Sequence, residues 1–96
     1  MKQNEFCQET GATPRQVDYW SYSMELIEPM RKGGRGNHRQ YKRSAVPKVR
    51  LLVSISAKLG GYFSVDILKL IFDSYEAGRY DFGDGLVLEW RVDAPA

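Results

Sequence analysis

The chain has 96 residues, of which 43% are apolar and 27% charged, and a formal net charge of +2. That length supports one core, and the composition is that of a globular chain rather than a disordered or fibrous one. No apolar run reaches the roughly eighteen residues that a membrane helix needs, and a lone cysteine, Cys7, excludes an internal disulfide framework.

The small net charge conceals a strong asymmetry. Residues 31–50 hold eight Lys or Arg and no Asp or Glu. Residues 1–30 carry two basic and five acidic groups, and residues 61–96 carry three basic and seven acidic groups. A block like 31–50 is either a solvated loop or a phosphate-binding surface, and the motifs beside it favour phosphate. The start, Met1–Glu5, lacks the apolar stretch of a secretory signal, so a reducing cytoplasm is expected.

In chain order, a first helix is expected over about Gln3–Thr10, with Gly11 at its C-terminal cap and Phe6 and Cys7 facing inward. The second helix has a sharper start. Thr13 is placed to cap the free amides, and Pro14 suits the first helical position, where its missing N–H costs nothing. Val17 and Trp20 then turn toward the first helix, while Arg15, Gln16 and Tyr19 share the outward face. Leu26–Met30 reads as a short strand, Arg31–Asn37 with its three glycines as a hairpin tip, and His38–Tyr41 as the returning strand. Together they make a two-stranded wing.

Ser44 is expected to cap a third helix of about Ala45–Leu59. Pro47 would lie in its first turn, Val49, Leu52, Val53 and Leu59 would be buried, and Gly60-Gly61 would end it. Ser64 is expected to cap a fourth helix, about Val65–Ala77, made apolar by Ile67, Leu68, Leu70, Ile71 and Phe72 and ended by Gly78. The period then becomes that of a strand, with Leu86, Leu88, Trp90 and Val92 on one face and Gly83-Asp84-Gly85 turning a hairpin with Tyr80–Phe82. That apolar face needs cover, either from the third and fourth helices or from a second chain at the strand edge. The expected fold is mainly α with a small β part. It is one winged helix-turn-helix domain over residues 1–96, with a four-helix core and wing to residue 78 and a β-like tail over 79–96.

A tight helix-turn-helix beside a Gly-rich basic loop suits duplex DNA, the helix entering a groove and the loop neutralising phosphates. Arg15, Gln16 and Tyr19 are the candidate base or phosphate contacts. Arg can fork onto guanine and Gln onto adenine, although the same residues also make an ordinary solvated helix face. Lys32, Arg35, His38, Arg39, Lys42 and Arg43 are candidate phosphate contacts, with Lys48 and Arg50 at the margin. Gly33, Gly34 and Gly36 let the backbone come close.

The remaining residues give no sign of catalysis or of a cofactor. His38 is the only histidine and has neither a ligand cluster nor a nucleophile beside it. Residues 33–36 lack the Lys-Ser/Thr pair of a nucleotide loop. Asp81, Asp84 and Glu89 lack calcium-loop spacing. No cofactor, no metal and no enzyme activity are expected. Cys7 reads as a packed structural thiol and Trp20 as core.

The segments Thr13-Pro14-Arg15-Gln16-Val17-Asp18-Tyr19-Trp20, Leu26-Ile27-Glu28-Pro29 and Arg39-Gln40-Tyr41 resemble the winged-helix DNA-binding domain of the MerR family. The Arg-Gln-hydrophobic-Asp-Tyr-Trp variant is similar to a branch common in actinobacteria and their phages. The resemblance covers roughly residues 4–77. It implies a second helix in the major groove and a wing along the backbone or minor groove. Arg15 stands where that family's recognition helix contacts DNA, Arg39 and Tyr41 stand where its wing arginine and tyrosine do, and Thr13, at the start of the DNA-facing helix, is a further expected DNA contact. Many members carry Arg where this chain has Asp18, which is expected to pair with Arg15 instead.

Full regulators of that family continue into a dimerisation helix and an effector domain, whereas the eighteen residues after Gly78 read as strands. The resemblance therefore implies a ligand-free transcriptional regulator of a bacterium or phage, cytoplasmic and nucleoid-associated, working with RNA polymerase. The alternative is a short excisionase, or recombination directionality factor, working with a recombinase. Homodimerisation through the tail would imply a palindromic site, and head-to-tail assembly would imply direct repeats. A protein-interaction adaptor using the acidic residues 61–96 is the reading of another class.

Overall fold

Two threonine- and serine-led starts and two glycine stops divide much of the chain into helices. The computed structural model describes residues 1–28, 40–59 and 63–92. Helix α1 spans Gln3–Thr10, α2 Pro14–Met24, α3 Val46–Lys58 and α4 Val65–Asp73. A C-terminal hairpin pairs β1 (Arg79–Gly83) with β2 (Leu86–Glu89) in antiparallel register. The protein is mainly helical with a small antiparallel sheet, as the sequence implies.

The turn between α1 and α2 is three residues long, 11–13. Gly11 ends α1 in the left-handed region at φ 78°, and its N–H donates to the Cys7 carbonyl. A β-carbon there would meet only ordinary contact, 3.7 Å from Val53, so the backbone angle is what calls for glycine. Thr13 then starts α2 with the extended backbone of an N-cap, ψ 157°. The buried residues of α2 are Val17, Trp20, Ser21 and Met24, spaced as one helical face. They pack with Phe6 of α1, Val49 and Leu52 of α3, and Leu68 and Ile71 of α4 in one core. Each large apolar side chain buried this way contributes about 1.5–3 kcal/mol.

Helix α3 begins differently from the sequence expectation. A 3-10 turn, Arg43–Ala45, runs straight into it, and its cap residue Ala45 is already helical at ψ −13°. A capping serine needs extended backbone, as at Thr13 and at Ser64 with ψ 160°. Ser44 lies inside the turn and caps nothing. The buried stripe of α3 is Val46, Val49, Leu52 and Ile55, while Val53 is half-buried and Leu59 is exposed. Ser64 does cap α4, accepting from the Ile67 N–H at 3.3 Å. Helix α4 stops at Asp73 and gives way to a second 3-10 turn, Tyr75–Ala77, before Gly78. Leu70, expected within its apolar set, is exposed.

At the base of the expected wing, Ile27 and Tyr41 form an antiparallel bridge, flanked by Glu28 N–H to Gln40 carbonyl and Lys42 N–H to Leu26 carbonyl bonds. Pro29 and Met30 of the first expected strand, the tip, and His38 and Arg39 of the returning strand lie outside the described residues. The hairpin after Gly78 folds back onto α4. Gly78 sits at φ 71°, and a β-carbon there would come within 3.3 Å of the Trp90 carbonyl. The Trp90 indole N–H donates to the Tyr75 carbonyl at 2.9 Å. Tyr80, Phe82, Leu88 and Trp90 rest on the core, and Phe82 meets Tyr80 edge-on at 4.8 Å. Leu86, expected on the covered face, is 64% exposed at the hairpin tip, where a bulge between Asp81 and Gly83 shifts the register.

Candidate functional site

Helix α2 has two opposite faces. Val17, Trp20, Ser21 and Met24 point into the core, so Arg15, Asp18, Tyr19 and Tyr22 form the outward stripe. Tyr19 is 65% exposed and Tyr22 77% exposed. Two large aromatic side chains in solvent on one short helix are costly unless something covers them, and tyrosine combines an apolar body with a polar tip suited to an interface. A concave surface runs along this stripe, lined by Arg15, Gln16, Tyr19, Tyr22 and Ser23.

The start of α2 is locked by a reciprocal pair. The Gln16 N–H donates to Thr13 Oγ1 at 3.1 Å, and the Thr13 N–H donates to Gln16 Oε1 at 2.9 Å. This capping box satisfies two amide donors at the helix start. Two expected DNA contacts are thereby partly engaged in holding the helix. Gln16 Oε1 is occupied, and its Nε2 makes no hydrogen bond to the described residues. Asp18, expected to pair with Arg15, has a different partner. Its Oδ1 accepts from Gln3 Nε2 at 2.8 Å, which ties α2 to α1.

Tyr41 is the clearest departure. The sequence and the resemblance place it among the DNA contacts, but it is only 1% exposed. Its ring stacks on Phe6 at 5.0 Å, and its buried hydroxyl has no hydrogen-bond partner among the described residues. The ring is core and cannot stack on a base. The Tyr41 backbone N–H donates to the Met1 carbonyl at 2.6 Å, and the Met1 amine donates to the Tyr41 carbonyl at 3.0 Å. The segment before α1 thus lies across the wing base and covers this residue.

The basic block divides into parts. Lys32, Arg35, His38 and Arg39 lie outside the described residues. Arg50 is used inside the fold, its Nε donating to the Glu9 carbonyl at 2.9 Å. Lys42 and Lys48 lie near the end of α2, and Arg43 is exposed at the start of the 3-10 turn. Lys42 and Lys48 line a polar cleft of about 370 Å³ together with Tyr22, Ser23, Ser44 and Lys69. Because Tyr22 and Ser23 border both concavities, the outer face of α2 continues into this cleft.

Tyr22 and Lys69 are absent from the sequence-based candidates. Tyr22 was detectable, since it lies three residues after Tyr19 and seven after Arg15 on the same helical face. Lys69 was not, because only tertiary packing brings α4 beside α2. Cys7 is half-buried, as expected of a packed thiol. Burial, and secondarily the Asp18 charge, push its pKa above the ordinary thiol value. Among the described residues no His, Cys, Asp and Glu group could hold a metal ion, and no helix is long and apolar enough to cross a membrane. No family model, curated protein or solved structure matches the chain.

Proposed function

We propose that this chain binds double-stranded DNA with sequence preference, as a regulator of the MerR-like winged-helix kind that its motifs resemble, and that it acts by binding rather than catalysis. The observation that carries the reading is the unbroken surface from Arg15 through Tyr19 and Tyr22 to the lysine-lined cleft. A helix of 11 residues is about 16 Å long, a length that fits the major groove. Arg15 reads bases or a phosphate from its outer end. Tyr19 and Tyr22 contribute apolar area and hydroxyls along the groove wall, and the cations at the far end neutralise the adjoining backbone. Residues 31–39 carry four further Lys or Arg in sequence, so affinity is expected to rest on several phosphates.

The role is that of a transcriptional regulator or of an excisionase. RNA polymerase is the partner in the first case and a recombinase in the second, both at the nucleoid. Titration of random duplex DNA across a salt series tests the reading. Binding is expected to weaken steeply as salt rises, and selection from random sequences is expected to yield a defined motif. Salt-independent or undetectable binding to any duplex overturns the proposal and favours the protein-interaction alternative. A bent DNA carrying direct repeats identifies the excisionase role.

A further inference from the structure

We infer that the cleft between the end of α2, the turn 43–45, the start of α3 and α4 seats one backbone phosphate of the duplex, with the Lys48 and Lys42 ammonium groups as its ligands. The inference rests on the DNA-binding reading above and adds a discrete anchor to it. Three lysines line the cleft, Lys42, Lys48 and Lys69, against two acidic residues, Glu25 and Asp73. They are not equivalent. Lys69 Nζ is held by Asp73 Oδ2 at 3.1 Å, four residues on along the exposed side of α4. Lys48 instead lies with its Nζ 5.1 Å from the centre of the Phe72 ring. An aromatic face holds an ammonium in place without consuming its N–H donors in ion pairs. Among the described residues neither Lys48 nor Lys42 has a carboxylate within ion-pair distance. The cleft therefore presents two cations with donors to spare, one of them pre-positioned.

The Ser44 hydroxyl on the cleft wall is a further neutral donor. It is exposed and, not being a helix cap, is not committed to backbone amides. The cleft is open and polar, too shallow to bury a whole nucleotide against apolar walls but of a size for a tetrahedral oxyanion group. Its position next to Tyr22 places that group at the edge of the groove α2 occupies. Such a contact fixes register on the duplex and carries no sequence information. Asp73 limits its strength, since it faces the same cleft and repels the incoming phosphate.

Three variants of the full chain, each measured on one random duplex over a salt series, test this. Lys48→Gln is expected to flatten the slope of log K against log salt by about 0.9, the share of one phosphate, and to weaken all sequences alike. Lys48→Arg is expected to restore the slope, which separates the charge from any loss of packing on Phe72. Asp73→Asn is expected to strengthen binding by removing the competing carboxylate. If wild type binds duplex but Lys48→Gln keeps the wild-type slope, the phosphate seat is wrong and the DNA reading stands. If wild type fails to bind duplex, the DNA reading itself falls. Titration with inorganic phosphate, followed by amide shifts around residues 42–48, distinguishes a free-anion site from one used only on DNA. Saturation at millimolar phosphate with no change in duplex slope on Lys48→Gln assigns the cleft to a free anion and overturns the backbone-phosphate assignment.

Discussion

Gln16 separates helix stability from DNA recognition, because one atom of its side chain serves the capping box and the other is left for a ligand. Gln16→Ala removes the bond from the Thr13 N–H to Oε1 at 2.9 Å. That bond is at an exposed helix start, where water replaces it, so its loss costs about 0.5 kcal/mol, the low end for a net hydrogen bond. Gln16→Glu keeps the acceptor, since Glu and Gln serve equally in a capping box, and adds a negative charge near the helix N-terminus worth about 0.3–1 kcal/mol. For a domain of this size 1 kcal/mol moves Tm by about 4–8 °C. Gln16→Ala is therefore expected to lower Tm by about 2–4 °C, and Gln16→Glu to raise it by about 1–8 °C.

DNA binding should run in the opposite order for the glutamate. A carboxylate facing the groove meets phosphates and base acceptors, and a like-charge contact of this kind costs several kcal/mol. Duplex affinity is expected to fall at least tenfold in the more stable variant. Gln16→Ala should change sequence preference more than affinity. With Oε1 bound to Thr13, the Nε2 donor reads an acceptor edge such as purine N7 or guanine O6, rather than making the bidentate adenine contact. Thermal melting and fluorescence-anisotropy titration on the same preparations measure both. If Gln16→Glu melts at or above the wild-type temperature and binds duplex within twofold of wild type, Gln16 does not face DNA and the assignment of this stripe is wrong.

Three further outcomes follow from the geometry. Tyr41→Phe removes a buried hydroxyl that has no partner among the described residues. It is expected to hold or raise stability by up to about 1–3 kcal/mol in denaturant unfolding, with duplex affinity unchanged. A large loss of affinity would show that the hydroxyl reaches DNA after all. Glu25 ends α2 in the left-handed region at φ 51°. That conformation costs a non-glycine residue about 1–2 kcal/mol, partly offset by the greater unfolded-state entropy of glycine, about 0.5–1 kcal/mol. Glu25→Gly is thus expected to stabilise by up to about 1 kcal/mol in the same unfolding assay.

The Cys7 thiol, raised by burial first and the Asp18 charge second, should ionise at higher pH in the folded chain than in the unfolded chain. Its contribution to stability is complete below the ordinary thiol range and is lost as pH rises through the raised value. Ultraviolet thiolate titration is expected to show a folded midpoint above the urea-unfolded one. Asp18→Asn should reduce the difference without abolishing it, and equal midpoints would contradict the packing of this residue.

The parts of this fold that were legible in the sequence are those fixed within a few residues. Thr13 before Pro14, Ser64 before Val65, and Gly11 and Gly78 after their helices all act through local backbone angles, and each does what its residue type implies. The Thr-x-x-Gln box was equally local and could have been read from the spacing alone. Ser44 was misleading because a serine caps only where the chain arrives extended, and the approach to α3 is already coiled. Tyr41 was misleading because its burial depends on Met1 and Phe6, some forty and thirty-five residues away. Lys69 stood in an acidic segment and was invisible as a ligand until α4 was brought beside α2. Long-range packing chooses which of several cations shares a cleft, and charge counting along the chain cannot.

Reading a duplex with a helix and a wing requires that the two keep a fixed relation, since they touch it at different points of the same turn. Helix α2 is only 11 residues long and would be marginal alone. It is held through Val17 and Trp20 in the core and through Gln3 to Asp18 at its outer edge. The wing base is held by Met1 to Tyr41 in the backbone and by Phe6 to Tyr41 in the rings. The Gln3–Asp18 bond and the Phe6 and Met1 contacts to Tyr41 all come from α1 and the segment before it. Helix α1 contributes no candidate DNA contact, yet it touches both α2 and the Ile27–Tyr41 bridge, the two parts that the proposed reading sets against the duplex. The burial of Tyr41 then has a structural role that needs no contact to DNA. A tyrosine turned inward fixes the Ile27–Tyr41 bridge on α1, and under the proposed reading phosphate contact is left to the cations.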